Sequence, residues 1–108
     1  MKEYSPDMVV AGYHLIDEHL QGAGLSPAPI PNISLETLKA WLEKAVQELL
    51  DRDLEKLLRI CYRIDLPEAK VNHILSFSVP DQMAPQFAEL IIQRELQKVY
   101  FRQKYREE

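Results

Sequence analysis

His14, Asp17 and Glu18 have the residue types and the spacing from which a metal or proton-transfer site can be built. On a helix, positions i, i+3 and i+4 share one face, so these three offer one imidazole nitrogen and two carboxylates, donors that zinc and iron accept. The set is incomplete alone. His19 falls on another face of the same helix, and the remaining histidine, His73, must come from a distant element. An imidazole also offers general-base chemistry, but no nearby Ser or Cys forms a recognisable nucleophile motif. The expected role of this face is a solvated helix surface without metal.

The single thiol, Cys61, stands between Ile60 and Tyr62, with Arg59 and Arg63 close in sequence. Those cations would favour the thiolate of an exposed sulfur, but the apolar neighbours point to burial as a small hydrophobe. One cysteine cannot close an internal disulfide or build a multi-cysteine metal site, which fits a reducing compartment. Glu36, Glu43 and Asp51 offer paired carboxylates, yet no Glu-x-x-His pattern accompanies them, so the di-iron bundle arrangement lacks its diagnostic element. Phosphate-binding glycine loops, dinucleotide fingerprints, Gly-x-Ser-x-Gly elbows and HExxH are absent. The expectation is a protein that is not an enzyme, with no catalytic residue and no cofactor.

The most unusual feature is C-terminal. Arg94, Lys98, Arg102 and Arg106 recur every four residues and so form one basic stripe on a helix, with Lys104 beside it and Tyr100, Phe101 and Tyr105 interleaved. Arg and Tyr are favoured at the centres of protein interfaces. Basic and aromatic side chains also grip RNA or single-stranded DNA by phosphate contact and stacking. A plain solvated helix end is the third use, since positive charge suits that end of the dipole. Overall charge separates these. Residues 1–93 carry 8 basic and 14 acidic groups, net −6, whereas residues 94–108 carry 5 basic and 3 acidic, net +2. An acidic body disfavours generic nucleic-acid binding, whose affinity comes from concentrated Lys and Arg. The sequence therefore predicts a non-enzymatic protein–protein interaction domain using Arg94, Lys98, Tyr100, Phe101, Arg102, Tyr105 and Arg106, with a protein partner or a second copy as a homodimer. Nucleic-acid binding through the same stripe, and an enzyme or metal site centred on His14, are the alternatives.

The elements that must position these residues are helical. Ser5-Pro6-Asp7 is a helix start, and Val9, Tyr13, Ile16 and Leu20 follow at spacings of four, three and four before Gly22. A strand over residues 8–15 is the alternative there. Two glycines and three prolines make Gly22–Ile33 a Pro-rich connecting loop. Ser34 caps a second helix whose stripe runs through Leu35, Leu38, Leu42, Ala45 and Leu49. Asp51-Arg52-Asp53 is read as a fresh start, with Leu54, Leu57, Leu58, Cys61 and Tyr62 as the next apolar face; one helix over 34–64 is the alternative. Glu48 with Arg52, and Glu55 with Arg59, have the acid-before-base order of exposed helix faces. Pro67 opens a helix carrying Val71, Ile74 and Leu75, and Ser78-Val79-Pro80-Asp81 ends it and starts the last, with Ala84, Phe87, Ala88, Ile91, Ile92, Leu96 and Val99 inward.

The fold class is thus all-α: a compact bundle of four to five helices, with Leu38, Leu42, Leu49, Leu57, Leu58, Ile74, Phe87 and Ile91 central to the core. At 108 residues, with 46% hydrophobic and 28% charged side chains, the chain suits one domain over 1–108. The apolar stretch from Met8 to Ile16 is short and interrupted by His14, a poor signal peptide, and no run approaches the about 18 apolar residues that span a bilayer. A cytoplasmic protein without membrane contact is expected.

Overall fold

The computed structural model describes residues 5–20 and 34–107, with the side chains of 106 and 107 left aside. The loop expected over Gly22–Ile33 lies outside the described residues. Five helices are present: α1 Pro6–Leu20, α2 Leu35–Arg52, α3 Leu54–Ile64, α4 Glu68–Phe77 and α5 Pro80–Glu107. No strand occurs among the described residues, and residues 8–15 are helical. The bundle is all-α, as the periodicity predicts.

Local chemistry accounts for most of the boundaries. Ser5 Oγ accepts from the Met8 N–H at 3.3 Å, and Ser34 Oγ accepts from the Thr37 N–H at 3.0 Å, so each hydroxyl satisfies an orphan donor of a first turn. Asp53 serves two helices. Its N–H donates to the Leu49 carbonyl at 2.8 Å and closes α2, while its Oδ1 accepts from the Lys56 N–H at 3.1 Å and opens α3. This double cap divides residues 34–64 into two helices without Gly or Pro.

α3 ends in a Schellman motif: Asp65 takes the left-handed conformation (φ 67°), its N–H donates to Tyr62 O, and the Leu66 N–H reaches Cys61 O. Glycine usually fills that position, so Asp65 holds it at a conformational cost. Leu66 is buried after the turn, Pro67 fixes the entry to α4, and Ser78 with Val79 joins α4 to α5.

α5 is the central element. It packs against all four other helices, through an inner face of Ala84, Phe87, Ala88, Ile91, Ile92, Leu96 and Val99, all buried. Its 28 residues amount to about 42 Å at the ordinary helical rise. That equals the long dimension of the molecule, 41 Å. Leu38, Leu42 and Leu49 of α2, Leu57 of α3 and Ile74 of α4 join the same core, as expected, and Leu58 is half-buried against its margin. The expected α3 face needs correction. Ile60 and Ile64 complete the buried side with Leu57 and Cys61, while Leu54 and Tyr62 are exposed. Tyr62 lies nearly opposite the centre of that stripe on a 100° helical wheel, so burying Ile60 and Ile64 turns it outward.

α1 crosses α5 closely at Gly12. A Cβ there would lie 2.7 Å from Leu96 Cδ2, and Leu96 is fully buried with little freedom to retreat. Gly12→Val should therefore destabilise the fold by about 1–3 kcal/mol through overpacking, despite removal of a helical glycine. Chemical denaturation checks this, and an unchanged or raised midpoint would show that α1 and α5 separate freely.

Candidate functional site

The His14 face is solvent-exposed at His14 and Glu18. Both line a hollow of about 330 Å³ between α1 and α5, together with Arg102 and Gln103, over a floor of Ala11, Leu15 and Val99. No group of three or more His, Cys, Asp or Glu side chains with metal-binding geometry occurs among the described residues. His73, on α4, lies with its ring 5.0 Å from that of Phe77. The histidines are not gathered at one place.

His19 instead faces a residue that the apolar pattern of α5 passes over. Glu95 occupies an inward position of α5 and is fully buried. Its Oε1 lies 3.5 Å from His19 Nδ1 and 3.3 Å from Lys98 Nζ. Lys98 Nζ also donates to the Ile64 carbonyl at 2.8 Å, so one ammonium joins the buried carboxylate to the C-terminal end of α3. Glu95 Oε2 and His19 Nδ1 are buried without a hydrogen-bond partner among the described residues. Burying a carboxylate is costly unless it is paired, so Lys98 is what makes Glu95 tolerable here. The signal was present in the sequence: Ala84, Ala88, Ile91, Glu95 and Val99 recur at four, three, four and four, which places Glu95 in the apolar stripe.

The basic ladder divides at this point. Arg94 Nη2 pairs with Asp65 Oδ2 at 3.3 Å and its Nη1 donates to Gln97 Oε1 at 3.0 Å. Arg94 and Lys98 are thus engaged with the body, fastening α3 to α5. Tyr100 is half-buried, its ring 5.6 Å from Phe101 and edge-on to it. Every residue from Phe101 to Tyr105 is exposed although the helix continues, with Phe101 45% and Tyr105 77% accessible. The side chain of Arg106 lies outside those described. Of the expected set, Phe101, Arg102 and Tyr105 are presented to solvent together.

Apolar surface also gathers at the other end of α5. Phe77 is 76% and Val79 61% exposed at the α4–α5 turn. Beside them a hollow of about 530 Å³ runs between α4 and α5, lined by Ala69, Ile74 and Leu90 with Lys70, His73, Gln86, Glu89 and Gln93. A further groove of about 610 Å³ separates α2 from the start of α5, lined by Trp41, Ala84 and Pro85 among others. Glu48 and Arg52 form the exposed pair expected of α2, at 3.6 Å.

Cys61 is buried, and desolvation raises its thiol from an ordinary 9.0 to about 11, against a smaller lowering by a backbone hydrogen bond. The arginines beside it in sequence leave no net lowering. No helix among the described residues is long and apolar enough to cross a membrane. No protein-family model, curated protein or solved structure matches the chain.

Two outcomes follow for the buried groups. Lys98→Met should cost roughly 3 kcal/mol, because it strands Glu95, and combining it with Glu95→Leu should recover most of that loss. Denaturation of the four species measures the coupling; additive losses would show that the pair does not interact. For Cys61 the unfolded thiol ionises first as pH rises, so its share of stability is complete below about pH 9 and is lost towards pH 11. At most about 3 kcal/mol is involved, and Cys61→Ala should flatten this part of the stability profile. A Cys61→Ala profile as steep as that of the parent, or rapid modification of the native thiol at neutral pH, would contradict it.

Proposed function

We propose that the chain is a non-enzymatic protein–protein interaction domain that binds a protein partner through the exposed end of α5. The observation that carries this reading is the continuation of α5 beyond its last buried residue, Val99, with Phe101 and Tyr105 one turn apart and uncovered. Aromatic side chains and Arg supply most of the energy at protein interfaces, and Phe101, Arg102 and Tyr105 bring those types together. Short helical turns without packing are marginal in water, so a partner that covers them adds stability as well as affinity. The exposed cations suit a partner surface carrying carboxylates.

Nucleic-acid binding is the second reading, and the geometry reduces its support. Arg94 and Lys98 are spent on Asp65, Glu95 and the Ile64 carbonyl, leaving fewer cations for phosphates.

A photo-crosslinking amino acid placed at Tyr105, used in the cells that make the protein, tests the reading. One discrete protein adduct is expected, sharply reduced by Arg102→Glu with the fold intact by circular dichroism. Adducts to nucleic acid, or no protein adduct, would overturn it.

A further inference from the structure

The outward strip of α5 has the composition of an interface along its whole length. Gln82, Gln86, Glu89, Gln93 and Gln97 follow one another at four, three, four and four, and the next step of four reaches Phe101. Four of those five positions before Phe101 are uncharged, in a chain that is 28% charged. Loss of charge, more than gain of apolarity, marks the centre of protein interfaces. The two ends of the strip differ in kind. One carries Phe101 and Lys104, with Tyr105 at its edge, all exposed. The other carries exposed Phe77 and Val79 beside the α4–α5 hollow, with Ile74 and Leu90 inside it and Glu89 on it.

Resting on the reading of α5 as a binding surface, we propose that its partner is a second copy of this chain, packed antiparallel along the outer strip of α5. In that arrangement Phe101 and Tyr105 of each copy enter the other's α4–α5 hollow. Phe101 and Leu90 are eleven residues apart, about 16 Å along the helix, so the two-fold axis falls between Gln93 and Gln97. Gln93 of one copy there stands across from Gln97 of the other, and their amides can pair, since each is both donor and acceptor. The same arrangement carries Lys104 of one copy towards Glu89 of the other, twice per dimer. Lys70 also lines the hollow, so Glu89 provides the attraction there. A parallel pairing would set the basic ends side by side, and a head-to-tail contact would not close. The antiparallel choice also opposes the two α5 dipoles.

Sedimentation of the full chain across concentration tests the proposal. A monomer–dimer equilibrium is expected. Glu89→Lys should weaken it about ten-fold or more, and Lys104→Glu in the same chain should restore much of the loss. Gln93→Glu, at an exposed position beside the axis, should weaken dimerisation without altering the helical spectrum or melting of the monomer. A monomer at all concentrations, or a dimer indifferent to Gln93→Glu and Glu89→Lys, would overturn the homodimer. If the Tyr105 crosslinker then captures a different protein, the interaction reading stands and only the identity of the partner falls; if it captures none, both fall.

Discussion

The inner face of α5 from Ala84 to Val99 is the wall against which the other helices bury their own stripes, and their stability is inseparable from it. α1, α3 and α4 have 15, 11 and 10 residues, lengths at which an isolated helix is marginal in water. None closes a core alone. Each gains part of its burial by contact with α5, α3 leaning on α2 as well, so α5 cannot be shortened to any point before Val99 without opening the core that holds the rest. A residue placed wrongly on that face is felt by every helix, whereas the outer strip touches the rest of the bundle only along the α4 side, where Gln86 accepts from the Ser78 hydroxyl.

Glu95 makes this wall selective as well as cohesive. Its carboxylate sits where α5 meets the end of α1 at His19, and its partner Lys98 reaches the end of α3 at Ile64, so three chain segments converge on one buried carboxylate. Sliding α1 by a turn would take His19 from the carboxylate, and sliding α3 would take the Ile64 carbonyl from Lys98, while Lys98, on α5 itself, stays beside Glu95. An apolar residue at 95 would hold the bundle at least as tightly but would tolerate more arrangements. The unpaired Oε2 shows that the pairing is only partial, which makes Lys98 the partner on which the junction rests.

The fold was largely legible because helical starts and stripes are local. Ser34, Asp53 and Pro67 act within a few residues of where they stand, and the spacing of Leu38, Leu42, Ala45 and Leu49 reports a buried face directly. The orientation of α3 was less legible, since Ile60 and Tyr62 both suit an apolar face and only docking decides between them. For the site, the exposed group Phe101, Arg102 and Tyr105 could be named from composition. The division of the basic ladder could not: whether Arg94 and Lys98 point to solvent or to the body depends on where α3 ends in space, and Asp65 is distant from them in sequence. Glu95 was hidden for a different reason, because a single charge inside an apolar stripe is easily read as belonging to the neighbouring polar face.

Beyond Val99 the inner stripe of α5 changes character, and the change explains why one periodic ladder has two uses. The position that continues Ala84, Ala88, Ile91, Glu95 and Val99 is Arg102, so the direction that faces the core lower down becomes basic at the rim of the α1–α5 hollow. Helix formation persists there with little packing because Arg, Gln and Lys are good helix formers. Lys98 stands on the near side of the transition, where a carbonyl and a carboxylate absorb its charge; Arg102 stands on the far side, next to two uncovered aromatic rings. Solubility alone would be served by cations without Phe101 and Tyr105, and a core would be served by the rings without the cations. Their combination on an extended helix end is what favours a partner surface with an apolar recess and carboxylates at its edge.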